Sequence, residues 1–550
     1  MSDQKQNDHK KNRQPPARQN RARPGGSLRD NRRPSYGKPA PRSAGDRPAG
    51  DRPYGRLAPR PAGDRPEDDR SYGKPAPRPV GKRPYGRPAQ RPAGKRAHGT
   101  PQQPVRVSIT ARRAALGVLD RVLTEAGYSS LSLDDMFRGI RLDPRDKRLV
   151  TKLVYTTLEN LYRIDHALAP FLEDPDSLEP RVRNLLRMGA CQILFMDRIP
   201  DSAAVNEAVN ITRDIGLESL TGLVNGVLRS LIRGLHDIAW PSEEEGARYL
   251  SVMYSYPLWL VELLRQAYGE EEAQRIIKYR VSDPAVTIRP NLMRTTAEQF
   301  DALLAAKGWR IWQGVMPMAR QAEGVLSIAD DPDFAGGLFS IQGEGSMAAA
   351  EAVGARRGMR ILDCCAAPGG KTAYLAEQMQ GTGRVYAWDV HPHRVDLIYA
   401  TAKRLRLNNI RPAALDASVF REQHEGTMDA VLIDAPCSGT GVMHSKPEIK
   451  YNITPEGVTA LCALQDQLLS VCSRYVKPGG VLVYATCSIL PEENTVRTQA
   501  FLDAHPEFTV DRLPDTIPDA LRRHETGLGL QLMPHRDGTE GFYMIRMRRQ

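Results

Sequence analysis

Two cysteines of the 550-residue chain stand in settings where a thiol does chemistry. One lies in Asp434-Ala435-Pro436-Cys437-Ser438-Gly439-Thr440-Gly441 and the other in Tyr484-Ala485-Thr486-Cys487-Ser488, each after an apolar run that reads as a strand. A thiolate is a strong nucleophile that adds to electrophilic rings. C5 of cytosine is too weak a nucleophile to take a methyl group unaided. A thiolate added at C6 turns the ring into an enamine whose C5 attacks a sulfonium methyl; a base then removes the C5 proton and the thiol leaves. Cysteines at the ends of two adjacent strands suit that sequence, and either can meet the same base.

Methyl transfer also needs a donor site. Cys365-Ala366-Ala367-Pro368-Gly369-Gly370-Lys371 follows the strand-like run Met359–Asp363 and leads into a helix. Gly369 and Gly370 let the backbone approach a ligand closely, and Asp389, at the end of the next strand, can accept the hydroxyls of a ribose. Asp416 follows a third strand within reach of an adenine amine, and Asp434 ends a fourth. A single acid at a strand end can merely cap a helix, whereas this ordered set with a Gly-rich turn reads as a nucleoside site. The Gly-Gly-Lys-Thr tract is not a phosphate loop, because the required glycine spacing is missing and Pro368 occupies the turn.

The elements that position these residues are equally legible. Met359–Asp363, Arg384–Asp389, Asp429–Asp434 and Val481–Thr486 are short apolar runs separated by helical stretches, the pattern of buried parallel strands in a doubly wound sheet, with ligands at their C-terminal ends. A hairpin from Leu530–Met533 to Phe542–Ile545, turning at Asp537-Gly538, adds an antiparallel edge. From Ser108 to about Leu235 apolar residues recur at helical spacing (Ala115, Leu119, Val122; Val150, Leu153, Leu158), with Pro144 and Asp201 in helix-start contexts. Residues from about 245 to 340 mix helix with short strands such as Ala285–Arg289 and read as a small α+β module.

Charge and composition set the remaining bounds. The chain carries +12, but residues 1–105 hold 26 Lys and Arg against 9 Asp and Glu, or +17, leaving −5 for the rest. That tail is Pro-, Gly- and Arg-rich, with a loose repeat around Tyr36, Tyr54, Tyr72 and Tyr85; it is expected to be disordered, serving as an RNA-tethering arm or as a solvated spacer. Its charge favours a nucleic acid as partner over a membrane surface. Seven cysteines without a spaced framework fit a reducing compartment, and the absence of a long apolar run points to a soluble cytoplasmic protein. Cys191, Cys462 and Cys472 lie among apolar neighbours in helical stretches and read, with Cys364, as packing residues. No structural metal is expected.

These motifs carry a resemblance. Asp201–Val209 and Gly222–Arg229 resemble the NusB-like RNA-binding domain, and the chain from about 107 to 549 resembles the RsmB/Sun family of ribosomal RNA cytosine-5 methyltransferases. The match rests on Cys365–Lys371, Asp434–Gly441, and Thr486-Cys487-Ser488 through Pro491-Glu492-Glu493-Asn494. The tail over 1–105 lies outside the family pattern; for the rest the chain is expected to divide into an all-α NusB-like domain over 106–240, the small α+β module over 241–345 and a Rossmann-like class I methyltransferase domain over 346–550. The resemblance implies that Cys487 is the nucleophile and that Cys437 assists proton removal and enzyme release. Cys365, Ala366, Ala367, Pro368, Gly369, Gly370, Lys371, Asp389, Asp416 and Asp434 would hold S-adenosylmethionine, with Asp434 also near N3 of the cytosine. The implied substrate is 16S ribosomal RNA and the expected state a monomer, although related enzymes with the same core modify transfer RNA. The family usually carries Gln-Asp before its first methyltransferase strand; here Gln342 is followed by Gly343, and Glu344 is the candidate to take over that acid.

Two rival readings meet obstacles. An amino-group methyltransferase needs an aromatic residue to orient the amine, and Asp434-Ala435-Pro436-Cys437 has none. A non-catalytic RNA-binding scaffold would have lost Cys487 or the Gly-rich turn, and both are present. A target base must leave its stack, so a cytosine in structured RNA, unpaired or in a loop, is favoured over one in a DNA duplex.

Overall fold

The computed structural model describes residues 109–280, 285–325 and 328–550. The expectation for the basic tail falls outside the described residues.

The first domain is helical. Ala111–Thr124, Ser129–Gly139, Pro144–Glu159, Leu161–Leu168, Pro180–Phe195, Asp201–Asp214 and Thr221–Arg233 form its α-helices. Their starts are chemically marked: the Thr110 side chain accepts from the Arg113 N–H, and Asp143 accepts from Asp146 ahead of a helix whose first residue is Pro144. Leu116, Leu119, Val122, Leu153, Leu158, Leu185 and Leu228 are buried in one core, as their spacing predicts. Three further helices, Ala247–Tyr254, Leu258–Tyr268 and Glu270–Lys278, bury Leu250, Leu260, Leu264 and Ile277 in a core that also holds Met443, Ile449, Ile489 and Leu490. Those last residues belong to the loops that follow the two cysteines.

Strands β1 (Val286–Pro290), β2 (Arg310–Gln313), β3 (Arg320–Glu323) and β4 (Phe339–Ile341) make an antiparallel sheet in the order β2-β3-β1-β4. Phe300 and Leu304 of the helix Ala297–Ala305 pack on it with Ile288 and Phe339.

The C-terminal sheet contains β5 (Arg360–Asp363), β6 (Arg384–Asp389), β7 (Ile410–Ala414), β8 (Met428–Asp434), β9 (Val476–Thr486), β10 (Phe508–Val510), β11 (Glu525–Thr526), β12 (Gly529–Leu532) and β13 (Phe542–Arg549). Its order is β11-β12-β13-β9-β8-β5-β6-β7, with β10 paired to β13. From β7 to β9 the pairing is parallel; β13 enters antiparallel against β9. The hairpin read as an edge therefore places β13 inside the sheet, between β9 and β12. Both faces are covered. Ile361, Ala430 and Leu432 point into one core and Leu362, Val431 and Ile433 into the other, so the runs are apolar throughout because alternate residues serve opposite faces. No helix among the described residues is long and apolar enough to cross a membrane.

A buried ion pair locks the small sheet to the C-terminal domain. Arg289 of β1 meets Glu377 through Nη1–Oε2 at 2.5 Å and Nη2–Oε1 at 3.1 Å, with both side chains fully buried. Its Nε donates to Gln342 at 2.9 Å and its guanidinium lies 4.0 Å from the Tyr374 ring centroid. Glu377 belongs to the helix Gly370–Gln378, which begins at the Gly-rich turn, so β1 holds the element that carries Lys371. Removing one partner leaves a charge in a dry core. Glu377→Ala is expected to lower stability by about 3–5 kcal/mol. Replacing Arg289 and Glu377 together by Met and Leu should cost much less, and denaturant unfolding of the three proteins reads the difference.

Candidate active site

The pairing of β8 with β9 sets the geometry of the two cysteines. Asp434 lies opposite Ala485 at the end of both strands, so the chains leave the sheet side by side. Cys437 and Cys487 then meet with their sulfurs 3.3 Å apart, each half-buried. Gly439 has φ +72°, which favours glycine, and reverses the first loop. The Gly441 N–H donates to the Cys487 carbonyl at 2.9 Å, and the Gly441 carbonyl accepts from the Gly541 N–H at 2.9 Å. Added side-chain carbons at Gly441 and Gly541 would each run into the other residue's backbone, so both must be glycine for the loops to close.

Polar side chains tie the loops together. Glu493, fully buried, accepts from the Ser438 N–H at 2.8 Å, from the Ser438 hydroxyl and from Gln465 Nε2 at 3.1 Å. The hydroxyls of Ser438, Thr440 and Ser488 lie 3.0–3.2 Å from one another. Thr486 donates to Asn494 at 2.6 Å, and Asn494 donates to the Ser488 carbonyl at 3.0 Å. The Pro491-Glu492-Glu493-Asn494 tract is thus the brace of both cysteine loops.

The two thiols are not electrostatically equal. The hydrogen bond from Cys437 holds the Cys487 thiol below its ordinary value, with Lys371 and Lys446 helping against burial and Asp434. Cys437 is pushed well up by the same hydrogen bond, by burial and by the charge of Glu493. Cys487 therefore ionises first while Cys437 keeps its proton as donor. Lys371 Nζ sits 2.7 Å from Asp434 Oδ2 and 5.0 Å from the centroid of the Phe542 ring.

The nucleoside-site residues line the same sheet edge. Asp389 ends β6, only 3 % exposed, where its Oδ1 accepts from the His391 N–H at 3.1 Å and its Oδ2 lies 3.4 Å from Arg394. Asp416 follows β7; its Oδ1 takes both the N–H and the hydroxyl of Ser418, at 2.9 and 2.6 Å. The turn Cys365–Gly370 is pinned by the Ala366 N–H on the Trp388 carbonyl (2.8 Å) and by the Gly369 N–H on that of Ala366 (2.8 Å), and the helix that follows starts with no side-chain cap. Gly369 has φ +103°, closed to ordinary side chains. This donor set fits a nucleoside bearing an amino-acid tail: a buried carboxylate for hydroxyls, uncapped helix-start N–H groups and a narrow Gly-rich turn.

Asp363 was missed as a site residue, although it ends β5 as Asp389 ends β6. It is buried, with Oδ2 accepting from Thr372 at 2.6 Å and Oδ1 without a hydrogen-bond partner, and burial lifts its carboxyl to about 7. Glu493 and the hydroxyl trio were likewise missed as working parts, since hydroxyl residues have no pattern of their own in sequence. Glu344 does not fill the gap at Gly343: its carboxylate is committed to the Met316 N–H at 2.5 Å and to Gln321 Nε2 at 2.7 Å. Instead Glu540 caps that helix, accepting from the Gly345 N–H at 3.1 Å, and a side-chain carbon at position 343 would fall 1.9 Å from its Oε1. Glycine at 343 and the acid at 540 are one arrangement.

Iodoacetamide alkylation followed by peptide mass spectrometry across pH reads the thiol asymmetry. Cys487 should react at lower pH than Cys437. A donated hydrogen bond stabilises the thiolate, so Cys437→Ala should move the Cys487 midpoint to higher pH; a shift downward would reverse the donor assignment.

Comparison with known proteins agrees with this architecture. Residues 351–548 match the family described as 16S rRNA methyltransferase RsmB/F, residues 109–233 the NusB family, and residues 256–319 the RsmF/B-like ferredoxin-like domain. The chain is 36% identical over 446 residues to the probable ribosomal RNA small subunit methyltransferase B of Bacillus subtilis, covering 80% of this chain and 99% of that one. It is 32% identical over 450 residues to ribosomal RNA small subunit methyltransferase B of Vibrio cholerae, covering 80% and 98%. Among solved structures, PH0851 superposes with a TM-score of 0.70 at 25% identity, over 80% of this chain and 99% of that one. The chain belongs to the RsmB/F family of ribosomal RNA methyltransferases.

Proposed function

We propose that the protein methylates C5 of a cytosine in small-subunit (16S) ribosomal RNA. The observation that carries this reading is the pair of inequivalent thiols, 3.3 Å apart, beside the Lys371–Asp434 ion pair. A single thiol suffices to add to a ring; a second one, kept protonated against the first, suits a reaction that must also undo the addition. The names of the relatives point to the small ribosomal subunit.

In this reading the Cys487 thiolate adds to C6 of the cytosine, and Asp434, held by Lys371, faces the N3 side of the ring. The sulfonium of S-adenosylmethionine supplies an electrophilic methyl group. With Cys487 bonded to C6 the hydrogen bond between the thiols is gone; Cys437, having released its own proton to solvent, accepts the C5 proton, the C5–H electron pair restores the 5,6 double bond, and the C6–sulfur bond breaks with its electron pair returning to Cys487. The turn Cys365–Lys371 and the carboxylates of Asp389, Asp416 and Asp434 would hold the donor. Burial of Asp389 concentrates its effect, because water competes little for its hydrogen bonds.

Cys487→Ala should abolish methylation and give no covalent adduct. Cys437→Ala should stall after addition and accumulate protein joined to RNA, a slow band on a denaturing gel that ribonuclease removes. An adduct in Cys487→Ala alone would exchange the two roles; methylation by both variants would sink the mechanism. Separately, Asp389→Ala should weaken S-adenosylmethionine binding by roughly ten- to a hundredfold, the value of a charged hydrogen bond of about 1.5–3 kcal/mol. Unchanged affinity in calorimetric titration would remove Asp389 from the site.

A further inference from the structure

The NusB-family domain touches the C-terminal domain at a point the proposed chemistry leaves unused. Glu448 is fully buried, and both of its oxygens go to Ser129: Oε1 accepts from the backbone N–H at 3.0 Å and Oε2 from the hydroxyl at 2.9 Å. Ser129 is the first residue of the helix Ser129–Gly139, whose own N-cap residue, Tyr128, offers no side-chain hydrogen bond. The cap therefore comes from another domain, and a carboxylate there also meets the positive end of the helix dipole. Tyr451 extends the contact: its hydroxyl donates to the Leu158 carbonyl at 2.5 Å and its ring meets Tyr162 edge-on at 5.2 Å. Lys450, also buried, lies 4.8 Å from the Tyr256 ring centroid.

Between these anchors Ile449 packs the other way. A side-chain carbon at Gly439 would lie 3.0 Å from Ile449 Cδ1, so Ile449 rests on the turn that immediately follows Cys437 and Ser438. Ile449 also shares a core with Ile489, which closely follows Cys487. A buried carboxylate is costly unless fully paired, so the Glu448–Ser129 contact is a fixed joint rather than a loose surface touch.

We propose that residues 448–451 form a strap through which the NusB-family domain sets the position of the Cys437 loop, with Glu448 as the positioning residue. The inference rests on the proposed reading for what the loop does: the helical domain then governs methyl transfer as well as RNA capture.

The test compares full-length wild type, Glu448→Ala, Glu448→Gln and Tyr451→Phe, using an unmodified small-subunit ribosomal RNA transcript and S-adenosylmethionine labelled in its methyl group. Glu448→Ala is expected to lower kcat by about tenfold or more while KM for RNA stays within about twofold. Glu448→Gln keeps an acceptor for the Ser129 N–H and can donate to its hydroxyl, so it should recover most of the rate. Tyr451→Phe removes the hydroxyl's bond to the Leu158 carbonyl and its longer one, 3.4 Å, to the Ser255 carbonyl, and should show the same kcat-weighted loss in smaller measure, which keeps the test available if Glu448→Ala misfolds. Unchanged kcat in both variants, or a loss confined to KM, would overturn the strap. Label transfer is counted whichever atom is methylated. A product other than 5-methylcytidine would therefore refute the proposed chemistry while the comparison of rates still judged the strap.

Discussion

The site depends on one constraint, the parallel pairing of β8 with β9 that sets Asp434 opposite Ala485. Parallel neighbours end at the same edge, so whatever follows each strand emerges beside the other. Two short loops from that edge bring the thiols to 3.3 Å, and the braces around them turn proximity into a fixed geometry. Glu493 holds the Ser438 peptide, the hydroxyls of Ser438, Thr440 and Ser488 cross-link the loops, and Gly441 and Gly541 let their backbones meet. A one-residue slip in register would send alternate side chains to the opposite face and part the cysteines.

Burial makes the electrostatics of the site consequential. Asp363, Asp389, Asp434 and Lys371 stand along one strand-end edge, and Glu493 lies fully buried behind the Cys437 loop. Charges removed from water persist only when paired, which is why Lys371 meets Asp434 and why Glu493 is surrounded by donors. The same low polarity sharpens the difference between two chemically identical thiols. The Cys487 thiol, receiving a hydrogen bond and facing two lysines as well as Asp434, is drawn below its ordinary value; the Cys437 thiol, giving that hydrogen bond and facing Glu493, is pushed up. The Arg289–Glu377 pair extends this logic away from the site, since it fixes the helix of Lys371 from the neighbouring sheet.

The parallel strands, the Gly-rich turn and the cysteine loops were legible in the sequence because each has a local signature: apolar runs, glycines at fixed spacing, a thiol directly after a strand. The helical domain was legible for the same reason, through its periodicity. What escaped is non-local. That β13 inserts between β9 and β12 is a property of pairing, which no window of residues contains. Glu493 was visible only as part of a motif, and its grip on Ser438 spans 55 residues that include the helix Pro455–Ser473 and β9. Gly343 looked like a lost acid until Glu540, far along the chain, was seen to occupy the space its side chain would need. The joint between Glu448 and Ser129 has no sequence signal, since a glutamate and a serine so far apart have no pattern that pairs them.

The central claim is that the methyl group goes to C5 of a cytosine. Incubation of the full-length protein with S-adenosylmethionine and unmodified small-subunit ribosomal RNA, followed by digestion to nucleosides and mass spectrometry against authentic standards, addresses it directly. The account predicts 5-methylcytidine as the new nucleoside. N4-methylcytidine, or a methyl group on any other base, would contradict it.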